Sequence, residues 1–140
     1  MKLVSMAVVV AVCAGTTGPV LAQTSEPSGP ICPTIGLGID GTVEAVGRAP
    51  SCGRAYEIMN LCSGGGLSDG PVGAAVREKC ERHFLPRYGA SQRKVYQREL
   101  KHCLDMYAGQ RGSLYGSLIA FCQVKNAVRR ASQHGTKRKG

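Results

Sequence analysis

The stretch that decides the fold is Ser91–Val128, SQRKVYQRELKHCLDMYAGQRGSLYGSLIAFCQVKNAV. Its apolar residues recur at helical spacing on both sides of a glycine-containing break. Tyr96, Leu100, Cys103, Leu104 and Tyr107 line one face of a helix that Ser91 caps and that runs to about Ala108. Gly109–Gly112 interrupts it. Ser113 opens a second helix, with Leu114, Leu118, Phe121, Cys122 and Val128 inward. A connection this short makes the two helices antiparallel neighbours. Cys103 and Cys122 then face each other across the hairpin, and a disulfide there is the preferred pairing.

Upstream, Ser51 caps a helix to Cys62, with Ala55, Ile58, Met59 and Cys62 at helical intervals. Ser63–Gly70 holds three consecutive glycines and an Asp-Gly, and reads as a loop. Pro71 suits the first turn of another helix, in which Val72, Val76, Cys80 and Phe84 form an i, i+4 stripe ended by Pro86. Residues 23–50, rich in Gly, Pro, Ser and Thr, read as a loop-like arm. The alternation of Ile35, Leu37 and Ile39 allows one short strand there. The expected fold is all-α: a small disulfide-stapled bundle of about four helices over 51–132, after the arm. A basic, disordered tail is expected at 133–140.

The first 22 residues carry one positive charge at Lys2, an apolar run from Leu3 to Val12, and Val20-Leu21-Ala22 before Gln23. This is the pattern of a cleavable signal peptide cut after Ala22. The run is about half the roughly 20 residues a spanning helix needs, so no transmembrane segment is expected in the mature chain. Val12 before Cys13 is larger than the residue that usually precedes a lipid-modified cysteine. Cleavage removes Cys13 and leaves six cysteines, Cys32, Cys52, Cys62, Cys80, Cys103 and Cys122. An even set in a short exported chain reads as three disulfides, and places the protein in the periplasm or outside the cell. Six cysteines permit 15 pairings. Cys52 and Cys62 on one straight helix would stand about 15 Å apart, too far to bond. After Cys103–Cys122, the preferred pairs are Cys62–Cys80 and Cys32–Cys52. The chain has no Trp and only two Phe, so the apolar core is small and the cross-links carry much of the stability.

No motif calls for catalysis, a metal or a cofactor. Gly36-x-Gly38-x-x-Gly41 has the glycine spacing of a dinucleotide site. It lacks the flanking strand and helix that give the pattern its meaning, so it reads as a loop. There is no Cys-x-x-Cys, and His83 three residues after Cys80 is a two-ligand fragment that nothing local completes. The acidic residues lie among Lys and Arg at i, i+4, as in Glu78–Arg82 and Lys101–Asp105, an ordinary solvated pattern. No catalytic residue is expected.

Charge is the distinctive surface property. The mature chain carries 17 basic against 9 acidic residues, and the excess falls late. Arg129, Arg130, Lys137, Arg138 and Lys139 are the candidate anion-binding residues. A surface of this sign attracts polyanions. The partners it fits are a protein or an anionic envelope polymer or lipid, not a specific nucleic acid.

Residues 51–132 resemble the lysozyme-inhibitor-like family of small exported bacterial helical proteins. The likeness rests on Cys52-Gly-Arg-Ala55 with Cys62, and on Cys103, Gly112-Ser113, Cys122 and Arg129. It departs at Glu99-Leu100-Lys101-His102, where the family often has a Trp and an Arg-Asp. The resemblance implies a small helical, non-catalytic envelope protein, allows a Cys52–Cys62 pairing, and makes lysozyme a candidate partner. An inhibitor of basic lysozymes is expected to be acidic, and this chain is basic. The alternatives are a basic module for anionic envelope polymers or lipids, and a small hydrolase with an unrecognised site.

Overall fold

The structure, a computed structural model, describes residues 31–136. The expected signal peptide, most of the first part of the arm, and Lys137, Arg138 and Lys139 lie outside the described residues. Those described form five α-helices and no strand: α1 (Gly38–Arg48), α2 (Cys52–Cys62), α3 (Asp69–Glu81), α4 (Ala90–Asp105) and α5 (Ser113–Thr136). A 3₁₀ turn at Leu85–Arg87 lies between α3 and α4. The all-α bundle is as the sequence implies, with one helix more.

That extra helix, α1, comes from the arm. Thr42 and Val46, four apart, are its buried residues, and Asp40 and Arg48 sit at the ends where the helix dipole favours their charges. Gly41 and Gly47 depress its intrinsic propensity, and packing against α2 and α3 supplies what propensity does not. No strand forms at Ile35, Leu37 and Ile39. Residues 33–37 turn tightly, with Gly36 and Gly38 at φ of +84° and +68°, and all three side chains are exposed. Gly41, the third glycine of the dinucleotide-like pattern, is inside α1.

Helix ends follow local chemistry. The Ser51 hydroxyl accepts from the Arg54 N–H at 3.1 Å, capping α2 as expected. Ser91 does not cap α4. That helix starts two residues earlier than a Ser91 cap would place it, with Gly89 at the cap and the Gln92 side chain accepting from its N–H at 3.1 Å. Pro71 stands in the first turn of α3, which begins at Asp69. At the other end of the chain α5 runs through Arg129 and on to Thr136, so residues 133–136 are helical and not part of a frayed tail. His134 lies against Phe84 and Tyr88, with ring centroids 6.4 and 5.4 Å away.

The main interface joins α3 to α5. Of the residues expected inward on α5, Phe121 and Val128 are partly buried against the core and Cys122 bonds Cys103, whereas Leu114 and Leu118 are exposed, as is Leu104 on α4. The buried stripe of α5 is Ser117, Ala120, Val124, Ala127 and Ala131. Small side chains let α3 come close. A Cβ on Gly73 of α3 would meet the Ala120 Cβ at 3.0 Å and Met59 Cε at 3.2 Å. Phe84, fully buried, closes the far end with Tyr96 edge-on at 5.1 Å and Tyr88 tilted at 5.0 Å.

Three disulfides cross the bundle: Cys32–Cys62, Cys52–Cys80 and Cys103–Cys122. The last is the pairing preferred from the sequence. The other two replace Cys62–Cys80 and Cys32–Cys52, and the reason is topological. The loop after Cys62 turns α3 back along α2, so the start of α2 meets the end of α3. Cys52 therefore reaches Cys80, with Cα atoms 4.7 Å apart. Cys62 instead sits beside the start of α3, about 16 Å of helix away from Cys80, and the 31–37 turn brings Cys32 to it at 4.7 Å. The Cys52–Cys62 pairing allowed by the family resemblance does not form, because α2 is continuous between them.

No described helix is long and apolar enough to cross a membrane. Three disulfides are compatible with a periplasmic or extracellular location.

Candidate anion-binding face

Charge is unevenly distributed over the fold. Residues 31–70 hold two basic and four acidic side chains, whereas residues 71–136 hold twelve basic and four acidic ones. Each of those four acids already has an Arg or Lys beside it. Glu78 pairs with Arg82 at 3.3 Å, Glu81 with Arg77 at 3.7 Å, Asp105 with Lys101 at 2.6 Å, and Glu99 with both Arg129 and Arg130. Among the described residues no carboxylate lies within 4 Å of Arg87, Lys94, Arg98, Arg111 or Lys125, all exposed.

α4 and α5 carry three of these cations, Lys94, Arg98 and Lys125, beside the paired Lys101 and Arg129. Lys94, Arg98 and Lys101 follow one another at i+4 and i+3 along α4, the spacing of one helix face. Lys125 and Arg129 are i, i+4 and exposed on α5. Between the two helices runs an open groove of about 430 Å³, lined by Val95, Arg98, Glu99, His102, Asn126 and Arg129. It is open to solvent and carries Arg98 and Arg129 on its walls, so it can hold an extended anionic group without enclosing it.

One side of the groove is fixed by Arg130. This residue was a candidate for binding anions, and its guanidinium is already engaged. Nε donates to Glu99 Oε2 at 2.8 Å, Nη2 to Oε1 at 2.6 Å and Nη1 to the Tyr88 hydroxyl at 3.0 Å. It also lies over the Tyr88 and Tyr96 rings, 5.6 and 5.7 Å from their centroids. The hydrogen bond to Glu99, outweighing the opposing effect of burial, raises the Arg130 pKa further above its ordinary value. The hydrogen bond from Arg130 is also the main influence that holds Glu99 below the usual carboxylate value. Burial first, and then the hydrogen bond to Glu81 at 2.9 Å, push the Tyr96 phenol upward. Arg130 therefore ties α5 to α4 and orients Glu99.

Arg129 is less enclosed. It is exposed at the groove's rim, with Nη2 3.3 Å from Glu99 Oε1 and donating to Asn126 Oδ1 at 3.1 Å. Lys94, Arg98 and His102 were not singled out from the sequence as site residues. The signal that finds Lys94 and Arg98 is basic residues at i, i+4 on α4 with no acid one turn away; His102, with Glu99 and Asp105 three residues to either side, carries no such signal.

Comparison with protein-family models, with curated proteins and with solved structures gave no match. Among the described residues no group of three or more His, Cys, Asp or Glu is arranged to hold a metal ion.

Proposed function

We propose that this chain is an exported, non-catalytic binding module of the cell envelope, which holds anionic polymers or lipid head groups against the α4–α5 face. The observation that carries this reading is the complete pairing of the four acids in residues 71–136. The remaining cations face solvent uncompensated. Rigid helices on a disulfide-stapled frame keep them spaced, so an anion meets them without ordering the backbone first.

Binding of this kind is electrostatic and fades as salt screens it. Retention on an anionic resin and on phosphatidylglycerol vesicles, measured across salt concentration, tests it. Salt-insensitive binding, or no binding at low salt, overturns it. The lysozyme-inhibitor-like role that the resemblance implies has the sign of this charge against it, since a basic lysozyme and this face repel each other. A lysozyme inhibition assay is its direct test.

A further inference from the structure

A different cleft lies at the other end of the chain's charge distribution. It opens between the 33–39 turn, the end of α2 and the start of α3, with a volume of about 410 Å³. Ile35, Ile39, Leu61 and Val72 supply apolar walls, and Ser63, Ser68 and Asp69 supply polar ones.

Asp69 is the unusual member. It is 1% exposed, yet among the described residues no Lys, Arg or His comes within 4 Å of it. The two half-buried carboxylates among the described residues, Glu81 and Glu99, both have arginine partners. Asp69 has only neutral ones: Oδ2 accepts from the Gly65 N–H at 3.0 Å and from the Ser117 hydroxyl. The N-terminal dipole of α3 adds partial compensation. A buried carboxylate without a counter-charge is costly to keep. Close by, Ser63 Oγ is shielded from solvent and is the one such side-chain atom among the described residues with no hydrogen-bond partner. Native structures leave few groups in that state, and a missing ligand or water is a standard reason.

We propose that this cleft binds a small ligand carrying a primary ammonium group on an aliphatic body. The ammonium takes the place beside Asp69, and its remaining donors suit the serine hydroxyls. The methylene body lies along Ile35, Ile39, Leu61 and Val72. A guanidinium fits less well: Oδ2 already accepts two hydrogen bonds, so the fork that needs both carboxylate oxygens loses half its partners. The local charge favours a cation too, since residues 31–70 carry a net −2.

The test uses the full secreted chain with its disulfides intact. n-Butylammonium and 1-butanol, equal in length and differing in charge, are titrated while the methyl resonances of Ile35, Ile39, Leu61 and Val72 are followed. Saturable shifts at these methyls, with the alcohol binding at least tenfold more weakly, support the proposal. Asp69→Asn is expected to abolish the preference for the ammonium, and Ser63→Ala to weaken its binding several-fold. Equal binding of the two probes, no saturable shift, or shifts confined to the α4–α5 face overturns it. The comparison of probes on the unsubstituted chain decides the matter even where Asp69→Asn does not fold. Neither probe is an anion, so failure here leaves the reading of the basic face unaffected.

Discussion

Arg130 and Glu99 are joined by two parallel hydrogen bonds, Nε to Oε2 at 2.8 Å and Nη2 to Oε1 at 2.6 Å. The Arg130 side chain is 16% exposed and that of Glu99 is 27% exposed. The pair is therefore partly withdrawn from water, and its geometry is the planar fork that only arginine offers. It is the most direct polar tie between α4 and α5 outside the Cys103–Cys122 disulfide. Arg130→Ala is expected to destabilise the protein by about 2 kcal/mol, through the lost fork and the lost contact with two tyrosine rings. Arg130→Lys recovers only part of this. Urea unfolding of both variants, with Glu99→Gln to complete a double-mutant cycle, measures the coupling.

The same pair sets an acid limit. Glu99 is held below the ordinary carboxylate value of 4.5, chiefly by its hydrogen bond from Arg130. A depressed folded value means that the unfolded chain takes up the proton first as pH falls. The stabilisation is fully present above the unfolded carboxylate value and is lost as pH drops through the folded one. Melting temperatures from pH 6 to pH 2.5 should fall more steeply for the unsubstituted chain than for Glu99→Gln, with the difference confined to below about pH 5. Parallel curves would remove Glu99 from the acid response.

The disulfides should differ in resistance to reductant. Cys80 and Cys103 are fully buried and Cys52 nearly so, while both sulfurs of Cys32–Cys62 belong to half-buried residues at the edge of the 31–37 turn. Thiolate attack needs access. Mild reduction followed by alkylation and peptide mass analysis is expected to label Cys32 and Cys62 first. Replacing both Cys52 and Cys80 by Ala should cost about 3–4 kcal/mol, from the loop of 28 residues they close.

Two glycine substitutions should act in opposite directions. Gly116 in α5 has open space where a Cβ would go, so Gly116→Ala is expected to stabilise by about 0.5–1 kcal/mol. Gly73 has the same propensity to gain, but its Cβ would press on Ala120 and Met59. Met59 can yield and the helix carrying Ala120 cannot do so cheaply. Gly73→Ala is expected to destabilise by about 1 kcal/mol, read as a lower denaturant midpoint.

On the basic face, Lys94→Gln together with Arg98→Gln should weaken vesicle binding by roughly tenfold or more at low salt, since each surface cation contributes on the order of 1 kcal/mol. Neither side chain has a carboxylate partner among the described residues, so the melting temperature should barely move. An unchanged vesicle affinity would place the binding elsewhere.

Much of this was readable along the chain. The stripe from Val72 to Cys80, the Ser51 cap and the glycine break at 109–112 are local signals, and each produced the element expected of it, although α3 ends at Glu81 and leaves Phe84 beyond it. α1 was not readable, because three glycines and a buried Thr42 hide its periodicity. On α5 the spacing places Phe121, Cys122 and Val128 correctly but not Leu114 and Leu118, for a related reason. Large apolar residues draw attention, whereas a close helix pair selects Ser117, Ala120 and Ala127, which carry little hydrophobic signal. At the basic face, the i, i+4 cations of α4 were visible as charge, but which of them remained unneutralised was not. Arg130 shows the difference: its partner Glu99 lies 31 residues away. Asp69 looked like part of a turn, and only its contact with Ser117, 48 residues on, reveals a buried carboxylate.

The sequence by itself determined an all-helical chain with six cysteines downstream of its leader-like segment and a late excess of positive charge, because helical period, cysteine number and charge are properties of neighbours along the chain. Tertiary structure alone decided which cysteines pair, which arginine is consumed and which carboxylate is buried. Those outcomes depend on the antiparallel return of α3 along α2 and on the approach of α5 to both α3 and α4. Contacts of that kind join residues tens of positions apart, and local spacing carries no record of them.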